Sequence, residues 1–189
     1  MRSYLTKAIL ILSLVSLLTD ISSEMLYPVM PLYLTQIGFS VVWIGVLEGL
    51  AQFIIGLSSG YFSEWSDLSG RRLPFIISGY FLSTIFKPLM VVSTSLSWVF
   101  TARLGERMGK GIRSGARDAL LSDEAKEGKH GSVFGFHRSM DTLGAAIGPV
   151  IALVFLYAHP GAYKQLFLYS FFPGIVAVVF LFFIREKRK

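Results

Sequence analysis

The chain has 189 residues, of which 53% are hydrophobic and only 16% are charged, and its mean hydropathy is +0.59. Soluble domains carry about a quarter charged residues, and this sequence contains several runs of about 18 or more residues with at most one charge, so a soluble protein is excluded. The net charge of +6 does not indicate nucleic-acid binding, because the basic residues lie at the ends of apolar runs or inside them. The absence of cysteine excludes disulfides, thiolate metal sites and cysteine nucleophiles.

The predicted elements are membrane-spanning helices, beginning with an uncleaved first helix. A basic N-terminus before an apolar run is typical of a signal peptide, but this run is too long and has no small-residue cleavage site before Asp20 and Glu24. No linker divides the chain, so we expect one all-α domain over residues 1–189, a six-helix transmembrane bundle. The predicted spans, in chain order, are residues 8–34, 41–62, 73–93, 96–119, 132–157 and 163–184.

The distribution of lysine and arginine predicts the orientation of the bundle. The loops at one side hold only Lys164. The positive-inside rule therefore places both termini in the cytoplasm, and we expect the chain in the inner (plasma) membrane of a prokaryotic cell. The opposite set of ends holds ten basic residues, namely Arg2, Lys7, Arg71, Arg72, Lys126, Lys129, Arg185, Lys187, Arg188 and Lys189.

Ionisable side chains within or near the spans are the strongest functional signal. Each charge at the bilayer centre costs about 2.5–3.5 kcal/mol on insertion scales, so such residues normally face water or one another. A polar pathway between the helices is the expected explanation. The residues concerned are Asp20, Glu24, Glu48, Lys87, Arg103, Glu106, Arg107, Lys110, Arg113, Arg117, Asp118, His137, Arg138 and Asp141.

Four acids are candidates for proton coupling: Asp20, Glu24, Glu106 and Asp141. Asp20 lies near the middle of the first helix and Glu24 is four residues further, so both share one face. Two carboxylates at this spacing repel each other, which favours proton binding by one of them. The alternative is that one or both simply neutralise arginines of the fourth helix.

The fourth helix carries a basic stripe at steps of three and four residues, formed by Arg103, Arg107, Lys110, Arg113 and Arg117. Arg103 and Arg107 fall near the bilayer midplane, whereas Arg113 and Arg117 are expected to reach the cytoplasmic surface. A midplane arginine could form a structural ion pair, a proton-linked switch or an anion site, and we favour a pair with an acid of the first helix. Further candidates for ion pairs or a substrate cavity are Glu48, Lys87 and Arg138.

Pairs of glycines four residues apart predict close packing between helices and carry no catalytic meaning. They are Gly45/Gly49, Gly56/Gly60, Gly105/Gly109, Gly111/Gly115 and Gly144/Gly148.

The segment between the second and third helices resembles a motif of the major facilitator superfamily, G-x-x-x-D-[RK]-x-G-R-[KR]. Asp67, Gly70, Arg71 and Arg72 match, whereas Ser63 replaces the first glycine and Leu68 replaces a basic residue. In that family the motif gates conformational change on the cytoplasmic side, and an acid at the end of the fourth helix joins its charge network. Asp118 is expected to fill that role.

Three further stretches resemble the same family. Residues 27–31 are similar to the P-x-x-P end of the first helix in drug:proton antiporters, and residues 103–111 are similar to a pattern of the fourth helix, with Glu106 for glutamine and Arg107 for the first glycine. Residues 144–152 resemble the fifth-helix antiporter motif G-x-x-x-G-P-x-x-G through Gly144, Gly148 and Pro149, with Ala152 for the last glycine. The resemblance covers the whole chain but only the first half of a twelve-helix fold built from three-plus-three inverted repeats.

This resemblance implies a secondary active transporter, or half of one, that exports small organic compounds by proton-coupled alternating access. Its partners would be a small-molecule substrate, protons, the lipid bilayer and a second six-helix half. That half would be a second copy in a parallel homodimer, or a separate or missing C-terminal half. No cofactor or metal site is expected.

Two other functions remain open. Excess basic charge on the fourth helix would also suit an uptake permease for an anionic metabolite, and a lone half could be a membrane scaffold that transports nothing. An enzyme is not expected, because His130, His137 and His159 are scattered and no spacing of a nucleophile and a base is present.

Overall fold

A computed structural model describes residues 5–184 and 186 of the chain. The described part forms seven helices and no strand. The predicted ends of the chain beyond these residues, including Arg2, Arg185, Lys187, Arg188 and Lys189, lie outside the described residues. The helices are α1 (Lys7–Glu24), α2 (Met30–Gln36), α3 (Val41–Ser69), α4 (Leu73–Leu89), α5 (Leu96–Glu124), α6 (His130–Ala158) and α7 (Tyr163–Leu181).

The first predicted span, residues 8–34, is two helices in the structure. A run of turns over residues 25–29 separates α1 from α2, and it contains Pro28, whose ring has no N–H for the helix ladder. Pro31 then starts α2, where a missing N–H is tolerated. Met25, Leu26 and Val29 in this run of turns are all buried. The chain therefore changes direction inside the bundle at the break and does not leave the bundle there.

Local sequence explains most of the other helix boundaries. The hydroxyl of Thr6 caps α1 by accepting the N–H of Ile9 at 3.2 Å, and Ser40 starts α3 in the same way. Gly70 ends α3 in the left-handed region, with φ of 60°, which a residue with a Cβ adopts at a cost. The helix ends at residues 69 and 124 lie beyond the predicted ends at 62 and 119, because polar residues continue both helices past the apolar runs.

Packing divides the bundle into two wings. In the first wing α1 packs against α6 and α7, and in the second α5 packs against α3 and α4. The wings meet mainly where α4 contacts α7, whereas α1 and α5 touch only slightly. Exchanging α1 with α5, α3 with α6 and α4 with α7 leaves this contact pattern unchanged, as expected of a three-plus-three repeat.

Glycines bring the helices of each wing together. A Cβ on Gly144 would lie 2.6 Å from the carbonyl oxygen of Leu17, and one on Gly148 would lie 2.8 Å from that of Ile21, so α6 contacts the backbone of α1. In the second wing Gly109 of α5 and Gly79 of α4 make equally close contacts with each other's helix. By contrast, no atom of another described helix lies within 4 Å of a Cβ position on Gly45, Gly49, Gly56 or Gly60 of α3, so the predicted close packing at these four residues is absent from the described part of the chain.

The apolar surface of the bundle suits a lipid environment. Helices α3, α6 and α7 are long and apolar enough to cross a membrane, and α4 is apolar but shorter. Most of α3 and α6 is exposed in the single chain, with large apolar side chains such as Phe53, Leu57 and Val154 at the surface. Helix α5 has the required length but carries the basic stripe, and that stripe lies largely inside the bundle.

Candidate functional site

Charged residues of α3 and α5 form one cluster, the arginine–glutamate cluster, composed of the half-buried Glu48 and the buried Arg103, Glu106 and Arg107. Arg103 makes a two-pronged contact with Glu48, in which Nε donates to Oε1 at 2.9 Å and Nη2 donates to Oε2 at 2.8 Å. Its Nη1 donates to Glu106 Oε2 at 3.1 Å. Arg107 Nε lies 3.1 Å from the same Glu106 oxygen. Two arginines and two glutamates therefore neutralise one another.

This cluster corrects the predicted pairing of Arg103 or Arg107 with an acid of the first helix. Neither arginine forms an ion pair with Asp20 or Glu24 in the described part of the chain. The reason is the packing: α5 lies against α3, which carries Glu48, whereas α1 lies against α6 and α7. Glu24 is half-buried, with its Cβ against Gly148 of α6.

Beside the cluster is a cavity of about 470 Å³, the outer cavity, between the α1–α2 break, α3 and α5. Glu48 and Arg103 form part of its wall, so one edge of the ion pair is accessible from it. Its remaining wall is apolar or uncharged, made of Tyr27, Pro28, Met30, Pro31, Gly49 and Gln52.

A second cavity, the central cavity, lies between the two wings. Its volume is about 260 Å³, and α1, α5 and α6 supply its walls. Lys110 lies at the middle of α5 and Asp141 lies near the middle of α6, so the cavity is at mid-height in the bundle. Its lining consists of Asp20, Lys110, Arg113, Ser114, Arg117, Arg138, Asp141, Thr142 and Ala145. The sequence-predicted residues Asp20, Arg138 and Asp141 thus come together here.

Arg113 and Arg117 differ from the prediction that both reach the membrane surface. Arg113 is 3% exposed, and its guanidinium carbon lies 4.1 Å from the centre of the buried Tyr80 ring. Arg117 donates through Nε to Asp118 at 3.0 Å and through Nη1 to Ser16 at 3.2 Å. The hydrogen bond to Ser16 of α1 therefore holds the Arg117 side chain inside the bundle.

His137 of α6 lies beside Asp141 and faces α1, within the first wing. Its Nδ1 lies 3.2 Å from the hydroxyl of Ser13, and its Nε2 lies 3.6 Å from Asp141 Oδ1, which is too long for a hydrogen bond. The sequence did not single out Ser13 or Ser16. Their signal was the row of small polar residues on one face of α1, formed by Ser13, Ser16, Thr19 and Ser22, all of which are buried.

Lys87 is separate from both cavities. It is 1% exposed, and its ammonium donates to the hydroxyl of Ser22 at 2.6 Å. Ser22 in turn donates to the carbonyl of Ser170, which joins α4, α1 and α7 at the contact between the wings. Since no carboxylate of the described residues forms an ion pair with Lys87, its predicted pairing is replaced by a hydroxyl contact.

The turn between α3 and α4 holds a third charged group, the motif network, at the end of the bundle that we call the motif end. Arg72 forms an ion pair with Asp67, and its Nε lies 3.8 Å from Asp123. Asp118 pairs with Arg117 instead, so Asp123 takes the place predicted for Asp118. The cause is that α5 extends to residue 124, one helical turn beyond the predicted end, and places Asp123 beside the turn. Arg71 is exposed.

Glu186 completes the motif network, and sequence reasoning missed it. Its two carboxylate oxygens accept the backbone N–H groups of Arg72 at 2.6 Å and Leu73 at 3.0 Å. These groups begin α4, so the carboxylate satisfies free donors and meets the positive end of the helix dipole. Its only sequence signal was an acid within a basic C-terminal run.

We expect Glu186→Ala to destabilise the protein by about 1 kcal/mol, because α4 loses the acceptor at its N-terminus. Thermal unfolding in detergent, followed by tryptophan fluorescence, measures the loss. Glu127→Ala removes an exposed loop carboxylate and serves as the control. Equal unfolding temperatures for the two variants would show that the cap contributes nothing.

Among the described residues, no three His, Asp or Glu side chains are grouped so as to hold a metal ion. The charged residues instead form ion pairs and line cavities, which is an arrangement suited to binding and conformational change.

Comparison with known proteins agrees with this architecture. An uncharacterised MFS-type transporter of Methanocaldococcus jannaschii is 36% identical over 184 residues, which are 97% of this chain and 46% of that protein. An uncharacterised protein of Mycobacterium tuberculosis is 29% identical over 181 residues, which are 94% of this chain and 43% of that protein. The chain therefore spans less than half the length of these relatives.

The fold matches a solved transporter structure. A bacterial homologue of the human lysosomal transporter Spinster, in an inward-facing and occupied conformation, superposes with a TM-score of 0.77 at 16% identity. The match covers 100% of this chain and 46% of that one, so the bundle is a six-helix half of the larger fold. The family model of the Major Facilitator Superfamily matches residues 12–189. The chain is therefore an integral membrane protein that belongs to the major facilitator superfamily.

Proposed function

We propose that this chain forms the N-terminal half of a secondary active transporter that works by alternating access. Family membership points to a transporter rather than an enzyme. The observation that carries the proposal is the central cavity, where ionisable residues of α1, α5 and α6 face one another at mid-height in the bundle. Ionised side chains at that depth need water or a ligand, which a transport pathway supplies.

We further propose that transport is coupled to protons through Asp20. Asp20 lines the central cavity together with Lys110 and Arg113, and it makes no direct ion pair among the described residues. Protonation would remove its attraction for these two cations and so change the balance between the two wings. Arg103 and Arg107 no longer take part in this step, since Glu48 and Glu106 already neutralise them. Glu24, Glu106 and Asp141 are secondary candidates.

The remaining parts of the proposal concern orientation and partners. The motif end would face the cytoplasm of a prokaryotic cell, with the chain in the inner membrane and the transport direction outward. The second half would be another copy of this chain in a parallel dimer, or a separate C-terminal half. The exposed glycine-bearing face of α3 supports such a partner, because small residues allow a helix to approach closely.

The proton-coupling proposal predicts that Asp20→Asn loses gradient-driven flux. Proteoliposomes containing the protein are loaded with a fluorescent dye, and efflux is measured with and without an imposed pH gradient. We expect the gradient to drive efflux against a dye concentration ratio of up to about tenfold per coupled proton and pH unit in the unchanged protein, since each pH unit supplies about 1.36 kcal/mol per proton. Asp20→Asn should leave only the slow, gradient-independent exchange.

Glu127→Gln, which alters an exposed loop acid, is the matched control and should keep gradient-driven efflux. Flux that is equal with and without the gradient in the unchanged protein would end the coupling proposal. Gradient-driven uptake would reverse the proposed direction. A native mass measurement made beforehand identifies the second half: a monomer that transports nothing would favour a scaffold.

A further inference from the structure

We infer that the central cavity binds an anionic group, a phosphate or a carboxylate, of the transported compound. The inference rests on the proposed function, since it names the class of compound that the proposed site would accept. It concerns Lys110, Arg113 and Arg138 as the binding cations, facing Asp20 and Asp141.

The first argument is the charge of the lining. Four cations and two carboxylates line the cavity. Arg117 is neutralised by Asp118, which lies just outside the lining, yet the remaining three cations still exceed Asp20 and Asp141 by one positive charge. Of these three cations Arg113 is buried, Lys110 is half-buried and Arg138 is exposed in the single chain. An excess positive charge beside Arg113 and Lys110 costs free energy, and an anion is the partner that removes this cost.

The second argument is a buried donor without an acceptor. Nη1 of Arg113 has no hydrogen-bond partner among residues 5–184 and 186, although the side chain is only 3% exposed. The guanidinium carbon lies 4.1 Å from the centre of the Tyr80 ring, and this cation–π contact does not replace a hydrogen-bond acceptor for Nη1. Six other buried polar atoms of the described residues also lack a partner, among them Oη of Tyr80 and Oδ1 of Asp141, so this donor supports an anion only together with the charge of the lining.

The acids of the cavity do not supply the missing acceptor. Neither Asp20 nor Asp141 forms an ion pair with Arg113, and Asp141 lies instead beside His137 at 3.6 Å. An ordinary structural ion-pair network would bring these groups into contact, as it does for Arg103 and Glu48 in the neighbouring cluster.

The shape and donor set fit a small oxyanion. Arginine presents parallel N–H donors that match the oxygens of a carboxylate or phosphate, and Lys110 adds a mobile ammonium. The cavity, of about 260 Å³, has room for such a group and several waters. The uncharged remainder of a larger compound would extend towards the proposed second half.

Ligand binding tests the inference without requiring transport. The purified full-length protein in phosphatidylcholine nanodiscs is titrated with phenyl phosphate, with its neutral analogue phenol and with the cationic benzylammonium, and binding is followed by calorimetry. We expect phenyl phosphate to bind at least about tenfold more tightly than either analogue, the effect of one partly screened charge contact. Inorganic phosphate should compete with it.

Removing a positive charge from the cavity should weaken anion binding, and removing a negative charge should strengthen it. Lys110→Gln and Arg113→Gln should each weaken phenyl phosphate binding by about tenfold, and Asp20→Asn should strengthen it by a similar factor. Arg113 is buried against Tyr80, so Lys110→Gln, at a half-buried position, keeps the test valid if Arg113→Gln does not fold. Lys129→Gln removes one positive charge from an exposed loop and should bind like the unchanged protein.

Equal affinity for the three probes, or equal weakening by Lys129→Gln and Lys110→Gln, would overturn the inference. Anion binding in a protein that moves no compound would leave the inference standing and end the proposed transport. Dye transport by the unchanged protein, together with unaltered phenyl phosphate binding in Lys110→Gln, would end the inference and leave the proposed transport standing.

A lipid phosphate could supply the same chemistry as a soluble anion. Nanodiscs containing phosphatidylglycerol separate the two sources: a lipid ligand would copurify, appear in native mass spectra and be lost in Lys110→Gln but not in Lys129→Gln. Competition between phosphatidylglycerol and phenyl phosphate would assign the site to the lipid headgroup and support the anion site.

Discussion

Replacing Glu106 with glutamine is expected to destabilise the protein by about 3–5 kcal/mol, the usual effect of removing one partner from a buried ion pair. Glu106 is 3% exposed and contacts both Arg103 and Arg107 through one oxygen. The change keeps the size of the side chain, leaves Arg103 with Glu48 as its one carboxylate partner and leaves Arg107 without a carboxylate partner among the described residues. Equilibrium unfolding in mixed SDS micelles, followed by tryptophan fluorescence, measures the loss.

Two further variants make the Glu106 experiment specific. Glu64→Gln carries out the same chemical change at an exposed position of α3 and should be nearly neutral. Adding Arg107→Gln to Glu106→Gln should recover part of the lost stability, because it removes the charge that was left without a counterion. If the double variant were less stable than Glu106→Gln by as much as Arg107→Gln alone destabilises the protein, the two effects would be additive. That result would contradict the assigned pairing of Glu106 with Arg107.

Adding a methyl group at Gly109 is the second prediction with a large effect. A Cβ there would lie 2.6 Å from the backbone nitrogen of Ser83 and 2.7 Å from the carbonyl oxygen of Gly79. Backbone atoms cannot move aside as a side-chain end can, so Gly109→Ala must separate α4 from α5. We expect a loss of about 1–3 kcal/mol or more, typical of overpacking, in the same SDS unfolding experiment.

Gly135→Ala in α6 is the matched control, since no atom of a neighbouring helix lies within 4 Å of its Cβ position. Alanine favours a helix by about 1 kcal/mol over glycine, so this variant should be as stable as the unchanged protein or slightly more stable. If both alanine variants were equally destabilised, the loss would reflect the replacement of glycine itself rather than contact between α4 and α5.

The order of the apolar runs that form helices could be read from the sequence, because long apolar runs and short polar turns have few alternative structures in a membrane. The break of the first run into α1 and α2 was missed. The position of the turn motif was also readable, since Gly70 and the residues around it occupy adjacent positions in the chain. The C-terminal end of α5 could not be read from the sequence, because its last residues are polar and hydropathy falls before the helix ends. For this reason Asp118 was predicted as the acid of the motif network, whereas the structure places Asp123 there.

The partners of the charged residues could not be read from the sequence. Helical spacing shows which residues share a face, but it does not show which neighbouring helix that face meets. Arg103 was expected opposite α1 and instead faces Glu48 of α3, and Lys87 meets a serine rather than an acid. Glu186 was invisible for a related reason: its contacts are with backbone groups more than 110 residues earlier in the chain.

The division into two wings has a mechanical consequence for the bundle. The wings are joined chiefly along one seam, where α4 meets α7, while α1 and α5 stand slightly apart on the other side. Arg113 belongs to the second wing and Arg138 to the first, so an anion held by both would act as a removable cross-link opposite the seam. Binding of the anion would stiffen this half, and its release would let the two wings move relative to each other. Substrate binding would thereby change the conformation of this half directly.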